Sequence, residues 1–408
     1  VKKLLPPLLV AALSILACNY RGLSPPSTPS ESAPPSPEQT TPEATLSGPE
    51  PEPSATGQSS PDLSDLIQAI DSDLPLALDG YGMPGVAIAI IRDGEVAWVQ
   101  GYGLADTERG APVTPETVFQ VASLSKTVAA WGVMHLVEEG RLDLDAPAEQ
   151  YLTRWRLPPS EFDANGVTIG RLLSHTAGLS LHGYPGFPPD APLPSLEESL
   201  SGATNGAGSV YVLQEPGSGH AYSGGGYTLL QLIVEEVTGE PFADYMQREI
   251  LTPLGMSHSA YVWTPELQPM TATGYDAEGR PEPNFLFTAQ AAAGLYSTAS
   301  DFGSFIAAAM SGPKGEPAGR GILSPQTVAL MTSPHPEANG EYGMGYAMET
   351  LPDGTHVASH YGGNIGWAAY YALLVDQGEG IVILTNSDNG FSLIEDITGL
   401  WADWLANR

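Results

Sequence analysis

The chain has 408 residues, enough for two domains or for one large domain with appendages, and 42% of them are apolar, an ordinary fraction for a globular protein. Its 47 acidic residues against 15 basic ones leave a formal net charge of −32, which repels nucleic acid and anionic membrane surfaces and removes both as expected partners. The single cysteine, Cys18, excludes an intramolecular disulfide and a cysteine-built metal site.

Lys2 and Lys3 precede an apolar stretch from Leu4 to Ala17, the pattern of a secretory signal, and the stretch is too short for a comfortable membrane span. Ile15-Leu16-Ala17-Cys18 resembles a bacterial lipobox, in which the cysteine is lipidated and becomes the new N-terminus. Residues 1–18 are therefore expected to be a signal peptide with lipidation at Cys18. This implies an exported protein on the outer side of the cytoplasmic membrane, touching the membrane only through its anchor, with plain secretion as the alternative. Residues 19–62 read as a linker. From Ser24 to Asp62 the chain is dominated by Pro, Ser, Thr and Glu, with Leu46 its only large aliphatic residue, so it cannot bury enough surface to offset chain entropy. Extended, such a tether reaches on the order of 100 Å.

The folded region is expected over residues 63–408. Leu63, Leu66, Ile67, Ile70 and Leu74 recur at helical spacing behind Asp62, a candidate cap. Val86 to Ile91 and Glu95 to Gln100 are β-branched apolar runs joined across Arg92-Asp93-Gly94, which predicts a hairpin. Leu124 to Glu139 reads as a mostly buried helix ended by Gly140. Leu181 to Gly219 is rich in Gly, Pro and Ser, with a short helical stretch near Leu196 to Leu200, and long irregular segments of this kind often rim active sites. Helical spacing returns from Tyr227 to Val237. Ala368 to Val375 and Gly380 to Thr385 read as adjacent strands linked across Asp376 to Glu379, and Phe391 to Ala406 as a closing helix. Strands at both ends with helices between them predict a sheet completed by the two ends of the folded region.

Three short motifs carry chemistry. Ser123-Leu124-Ser125-Lys126 lies at the predicted start of the buried helix, so Lys126 stands one turn from the Ser123 hydroxyl, where a serine nucleophile needs a base or a cation. Tyr222-Ser223-Gly224 lies in a glycine-dense loop that opens into the next helix, and a phenol held near a lysine can have its pKa depressed and serve as base and then acid. His360-Tyr361-Gly362-Gly363-Asn364 precedes the late strand pair. Its glycines would let a substrate lie against a strand edge, with N–H groups free for a developing oxyanion. Taken singly, each has a plain structural explanation: a capped surface helix, a packing aromatic and a turn.

Their order, Ser-x-x-Lys, then Tyr-Ser-x, then His-x-Gly near the C-terminus, resembles that of class C β-lactamases and related penicillin-binding proteins, esterases and D-alanyl-D-alanine carboxypeptidases. Leu172-Leu173-Ser174-His175-Thr176-Ala177-Gly178-Leu179, Pro253-Leu254-Gly255-Met256 and Ala293-Gly294-Leu295-Tyr296-Ser297-Thr298 resemble further landmarks of the same family. The resemblance runs from about Leu63 to Trp404. It implies an α/β fold of the β-lactamase/transpeptidase type, an antiparallel sheet flanked by helices with an inserted, mainly helical subdomain. It also implies roles: Ser123 as the acylated nucleophile, Lys126 assisting its deprotonation, and Tyr222 shuttling the proton to the leaving group. The N–H groups of Ser123 and Gly363 would form the oxyanion hole. His360, standing where many relatives have lysine, and Gly362 would contact substrate or support Tyr222.

Gly224 departs from the family's Tyr-x-Asn, and the missing amide weakens recognition of acylamino groups more than attack by Ser123. An esterase or a peptidase for small D-amino-acid substrates is therefore favoured over an efficient β-lactamase. The expected partners are small molecules or short peptides, including cell-wall fragments. The rival functional class is a lipoprotein that binds peptidoglycan or penicillin without turnover. Ala221-Tyr222-Ser223-Gly224-Gly225 nearly spells a Gly-x-Ser-x-Gly elbow, which would move the nucleophile to Ser223, but the first glycine and the alternating strands and helices before it are missing. His356 and His360 lack the sequence context of a metal site, and without a Gly-rich phosphate loop no cofactor or metal is expected.

Overall fold

The computed structural model describes residues 62–408. The expected signal segment, Cys18 and nearly all of the linker lie outside the described residues. The described chain divides into a small unit, residues 62–69 with 399–408, and a large unit, residues 70–398. In the small unit the Trp404 indole N–H donates to the Asp62 carbonyl at 2.9 Å. The candidate site lies wholly within the large unit.

Seven strands form the main sheet: β1 (Gly85–Arg92), β2 (Glu95–Asp106), β3 (Ala111–Pro112), β4 (Ala347–Thr350), β5 (His356–Asn364), β6 (Trp367–Leu374) and β7 (Glu379–Thr385). Their order is β3-β2-β1-β7-β6-β5-β4, and every pairing is antiparallel. β1 pairs with β7 from Val86 opposite Thr385 to Ile91 opposite Gly380, so an early strand and the last strand close the sheet as the sequence predicts. β1, β6 and β7 are buried almost throughout, which explains their unbroken apolar runs. The β1–β2 turn uses Asp93 at φ 53° and Gly94 at φ 71°, the two left-handed residues that a tight hairpin of native twist requires.

Helix α1 spans Leu63–Tyr81, seven residues past Leu74, where its predicted apolar spacing stops, and α2 spans Ser125–Glu138, within a residue of the predicted Leu124 and Glu139. Next come α3 (Ile169–Leu173), α4 (Gly224–Thr238), α5 (Gln290–Ala293), α6 (Ala299–Ala308) and α7 (Gly390–Ala406). Among the described residues, every α-helix other than α1 and α7 lies between β3 and β4, which is the inserted helical part. α6 covers β1, β2 and β7 on one face of the sheet. Gly303 of α6 makes that approach possible, since a Cβ there would sit 3.2 Å from the Ala89 methyl and 3.3 Å from Val96. α2, α4 and α5 pack on one another around a large apolar core that includes Trp131, Tyr227 and Leu230.

Two predicted elements differ. The glycines Gly224, Gly225 and Gly226, read as loop, form the first turn of α4. Ser223 caps that turn by accepting the Gly226 N–H, and the carbonyls of His182 and Leu181 accept the N–H groups of Gly224 and Gly225. His360-Tyr361-Gly362-Gly363-Asn364 is neither a turn nor a prelude to the sheet. It is the second half of β5, paired with β6 from Tyr371 opposite His360 to Trp367 opposite Asn364. β4 pairs only with residues 356–359, so beyond Ser359 this side of β5 is a sheet edge.

Candidate active site

The spacing predicts Ser123 at the start of the helix, but the helix begins at Ser125. Ser123 sits in a 3₁₀ turn, Ala122–Leu124, that feeds α2. Ala122, fully buried, adopts φ 50°, a left-handed conformation that costs a non-glycine residue free energy and is held only by its surroundings. Ser125 supplies part of that hold: its hydroxyl donates to the Ala122 carbonyl at 2.5 Å and accepts the Leu295 N–H at 2.9 Å. The sharp turn leaves the Ser123 side chain partly exposed while its neighbours are buried.

Lys126, 1% exposed, directs Nζ to the Ser123 hydroxyl at 3.0 Å and to the Ala292 carbonyl of α5 at 2.7 Å. No carboxylate pairs with it among the described residues, so burial is not offset and its pKa falls from 10.5 to about 7. Near neutral pH a substantial fraction of Lys126 is therefore the free amine. The Tyr222 phenol neighbours the Ser123 hydroxyl, and the Lys126 ammonium lies 4.9 Å from the Tyr222 ring centroid. Contrary to the expectation of a depressed pKa, burial pushes the Tyr222 phenol up. Tyr222 is thus a proton donor, and Lys126 is the group with basic character at neutral pH.

Residues outside the three motifs hold these groups in place. The backbone carbonyl of His175 accepts the Ala221 N–H at 2.7 Å, and its ring Nδ1 accepts the Ser223 N–H at 3.1 Å, so His175 grips Tyr222 from both sides in the chain. Its ring packs 4.3 Å from that of Tyr222, and its backbone is left-handed at φ 56°. The landmark containing His175 was visible in the sequence, but the grip depends on a segment 47 positions away.

His360 is 4% exposed. Its Nδ1–H donates to the Tyr361 carbonyl at 2.6 Å, and its Nε2 accepts the Tyr342 hydroxyl at 2.8 Å. Burial, then the charge of Lys126, lower its pKa to about 3. The ring is neutral with both nitrogens engaged, which suits bracing the wall behind Tyr222, 6.0 Å away between ring centroids, and not presenting a cation to substrate.

Gly362 and Gly363 occupy the β5 edge beside the turn that carries Ser123. A Cβ on Gly362 would lie 2.4 Å from the Val121 carbonyl oxygen and 3.1 Å from the Ser123 nitrogen, so only glycine lets the strand come this close. Gly363 is exposed, and the next residue, Asn364, ties the strand down by donating to the Gln120 side-chain oxygen at 2.8 Å and the Ala293 carbonyl at 3.2 Å. Gly362→Ala should force the strand off the turn. The expected result is a fall in turnover of roughly 10²-fold, as for a displacement near 1 Å, and a loss of about 1–3 kcal/mol in thermal unfolding from overpacking.

Ser223, 3% exposed, spends its hydroxyl donating to the Ser180 carbonyl at 2.7 Å and capping α4. His356 and His360 are four residues apart along β5, roughly 13 Å by strand rise, and His356 Nδ1 bonds the exposed Thr350 hydroxyl at 3.0 Å.

Residues 65–401 match the protein-family model described as Beta-lactamase. Esterase EstB of Burkholderia gladioli is 31% identical over 54% of this chain and 57% of its own length. Protein flp of Staphylococcus aureus is 24% identical over 80% of this chain and 64% of its own length. The chain spans less than two thirds of either relative. The solved structure of the octameric penicillin-binding protein homologue from Pyrococcus abyssi has a TM-score of 0.66 and 26% identity, covering 82% of this chain and 77% of that one.

Proposed function

Because the chain belongs to the Beta-lactamase family of serine hydrolases and has its antiparallel sheet flanked by helices, we propose that it cleaves small carboxylic esters through an acyl-enzyme on Ser123. The observation that carries this reading is the buried amine of Lys126, 3.0 Å from the Ser123 hydroxyl and with a pKa near 7. Neutral Lys126 takes the hydroxyl proton as Ser123 Oγ attacks the ester carbonyl. The N–H groups of Ser123 and Gly363 bind the oxyanion, and the Tyr222 phenol passes its proton to the departing alcohol while Lys126 reprotonates it. Water then attacks the acyl-enzyme by the same route in reverse.

Two features favour esters over substrates with a free carboxylate or an acylamino group. His360 is uncharged and its nitrogens are taken, so it offers no cation to a D-alanyl peptide or a penicillin. At Gly224 the place of a longer side chain is filled: a Cβ there would lie 2.8 Å from the His182 carbonyl oxygen and 3.4 Å from the Tyr184 ring. The similarity to an esterase supports the same choice. Export with lipid attachment at Cys18 belongs to this proposal on the strength of the residues at 2–18, and the mass of the mature N-terminus tests it.

The test is a side-by-side assay of the full chain on a short-chain nitrophenyl ester, a chromogenic cephalosporin and a D-alanyl dipeptide, with mass spectrometry for an adduct on Ser123. The expected result is turnover of the ester at least 10²-fold faster than of the others, through a Ser123 adduct. A long-lived adduct without turnover would replace the esterase by a binding protein. Tyr222→Phe should lower kcat by roughly 10²-fold on alkyl esters, whose alkoxide must be protonated. The loss should be smaller on nitrophenyl esters, whose leaving group departs as a stable anion. Equal losses on both would remove Tyr222 from the proton path.

A further inference from the structure

Three imidazoles pack on the Tyr222 ring: His175 at 4.3 Å, His182 at 4.8 Å and His360 at 6.0 Å between centroids. His175 and His360 are 2% and 4% exposed; both nitrogens of His360 are hydrogen-bonded within the protein, and His175 is bonded through Nδ1 while its Nε2 is buried without a partner. His182 is exposed, and among the described residues nothing hydrogen-bonds to its ring. It is therefore the imidazole of the three that a bound molecule can reach.

Its position is built. The segment Ser180–Tyr184 is laced onto the start of α4 by four contacts. Ser223 Oγ donates to the Ser180 carbonyl at 2.7 Å, and the N–H groups of Gly225 and Gly224 donate to the carbonyls of Leu181 and His182, each at 3.0 Å. The Tyr184 hydroxyl meets Thr228 Oγ1 at 2.6 Å. Leu181 takes φ 70°, a left-handed turn that swings the next residue outward. Glycine at 224 is what admits the His182 carbonyl, so the residue that removes a side chain from the site is also the one that seats the loop carrying His182.

We propose that His182 is a specificity-determining residue that donates a hydrogen bond to a neutral oxygen on the alcohol portion of the ester. The leaving group must pass the face of the phenol that protonates it, and the His182 ring lies against that phenol. Partial desolvation against the Tyr222 ring and then the nearby Lys126 charge lower the His182 pKa, so at neutral pH the ring is uncharged, suited to an ether or hydroxyl oxygen and not to a carboxylate. The substrate class is thus an ester of an oxygen-bearing alcohol. This inference rests on the esterase reading above.

The experiment follows acid release from ethyl acetate and 2-methoxyethyl acetate by the full chain, wild type and with His182→Ala or His182→Gln. Comparing variants on the same pair of esters cancels their difference in intrinsic reactivity. The wild type should favour the methoxy ester, and His182→Ala should lower the ratio of kcat/KM values about tenfold, the worth of one hydrogen bond, through KM. His182→Gln, which keeps an N–H donor, should recover part of it. If the wild type hydrolyses both esters and His182→Ala changes them equally, the inference fails while the esterase stands. If it hydrolyses neither and no Ser123 adduct forms, the esterase reading fails, and His182 with it.

Discussion

Ser123→Ala should lower ester turnover by about 10⁴-fold or more and eliminate the acyl adduct, because the serines beside Ser123 and Tyr222 are both engaged elsewhere. Ser125 is pinned between the Ala122 carbonyl and the Leu295 N–H, and Ser223 is buried as the cap of α4. The fold should survive, with stability changed by no more than about 1 kcal/mol, since Lys126 keeps its bond to the Ala292 carbonyl and Ser123 caps no helix. Circular dichroism and a denaturant titration check the fold; nitrophenyl ester hydrolysis and mass spectrometry check the chemistry. A folded variant within tenfold of wild-type turnover would move the nucleophile elsewhere.

The parts of this molecule that were legible in the sequence are those governed by local rules. The hairpin across Asp93-Gly94 follows from turn chemistry, and α2 from an apolar run ended by Gly140. Ser123 and Lys126 are three residues apart and need little more than a helical turn to meet. What was not legible depends on distant contacts. Gly224 to Gly226 have poor helix propensity, and they are helical because Ser223 and two carbonyls from the 181–182 segment satisfy their N–H groups. β4 is four residues long and owes its conformation to β5. The sign of the Tyr222 shift could not be read either: proximity to a lysine argues for a lowered pKa, and the burial that overrides it exists only once His175, His182 and His360 surround the ring. The same burial turns His360 from a candidate substrate contact into a neutral brace.

Lys126→Met should trade function for stability, with a pH dependence that identifies the cause. The amine has a pKa of about 7 in the folded protein against 10.5 ordinarily, so between these values the unfolded chain holds a proton that the folded one does not. Stability of the wild type should accordingly rise with pH across that window. The cost of burying the ammonium is present in full below pH 7, where both states are protonated, and absent above the ordinary value. A shift of this size corresponds to a cost on the order of 5 kcal/mol, against which the hydrogen bonds to Ser123 and Ala292 hold the group in place. Methionine fills a similar volume without the charge. The variant should be more stable than wild type by about 2 kcal/mol at pH 6, with the difference shrinking towards pH 10, in urea titrations at each pH. Its turnover should fall at least 10³-fold through loss of the base, while wild-type kcat/KM should rise through pH 7 as Lys126 loses its proton. Unchanged stability at pH 6, together with a wild-type rate flat through pH 7, would mean that Lys126 holds its proton at neutral pH and that another group activates Ser123.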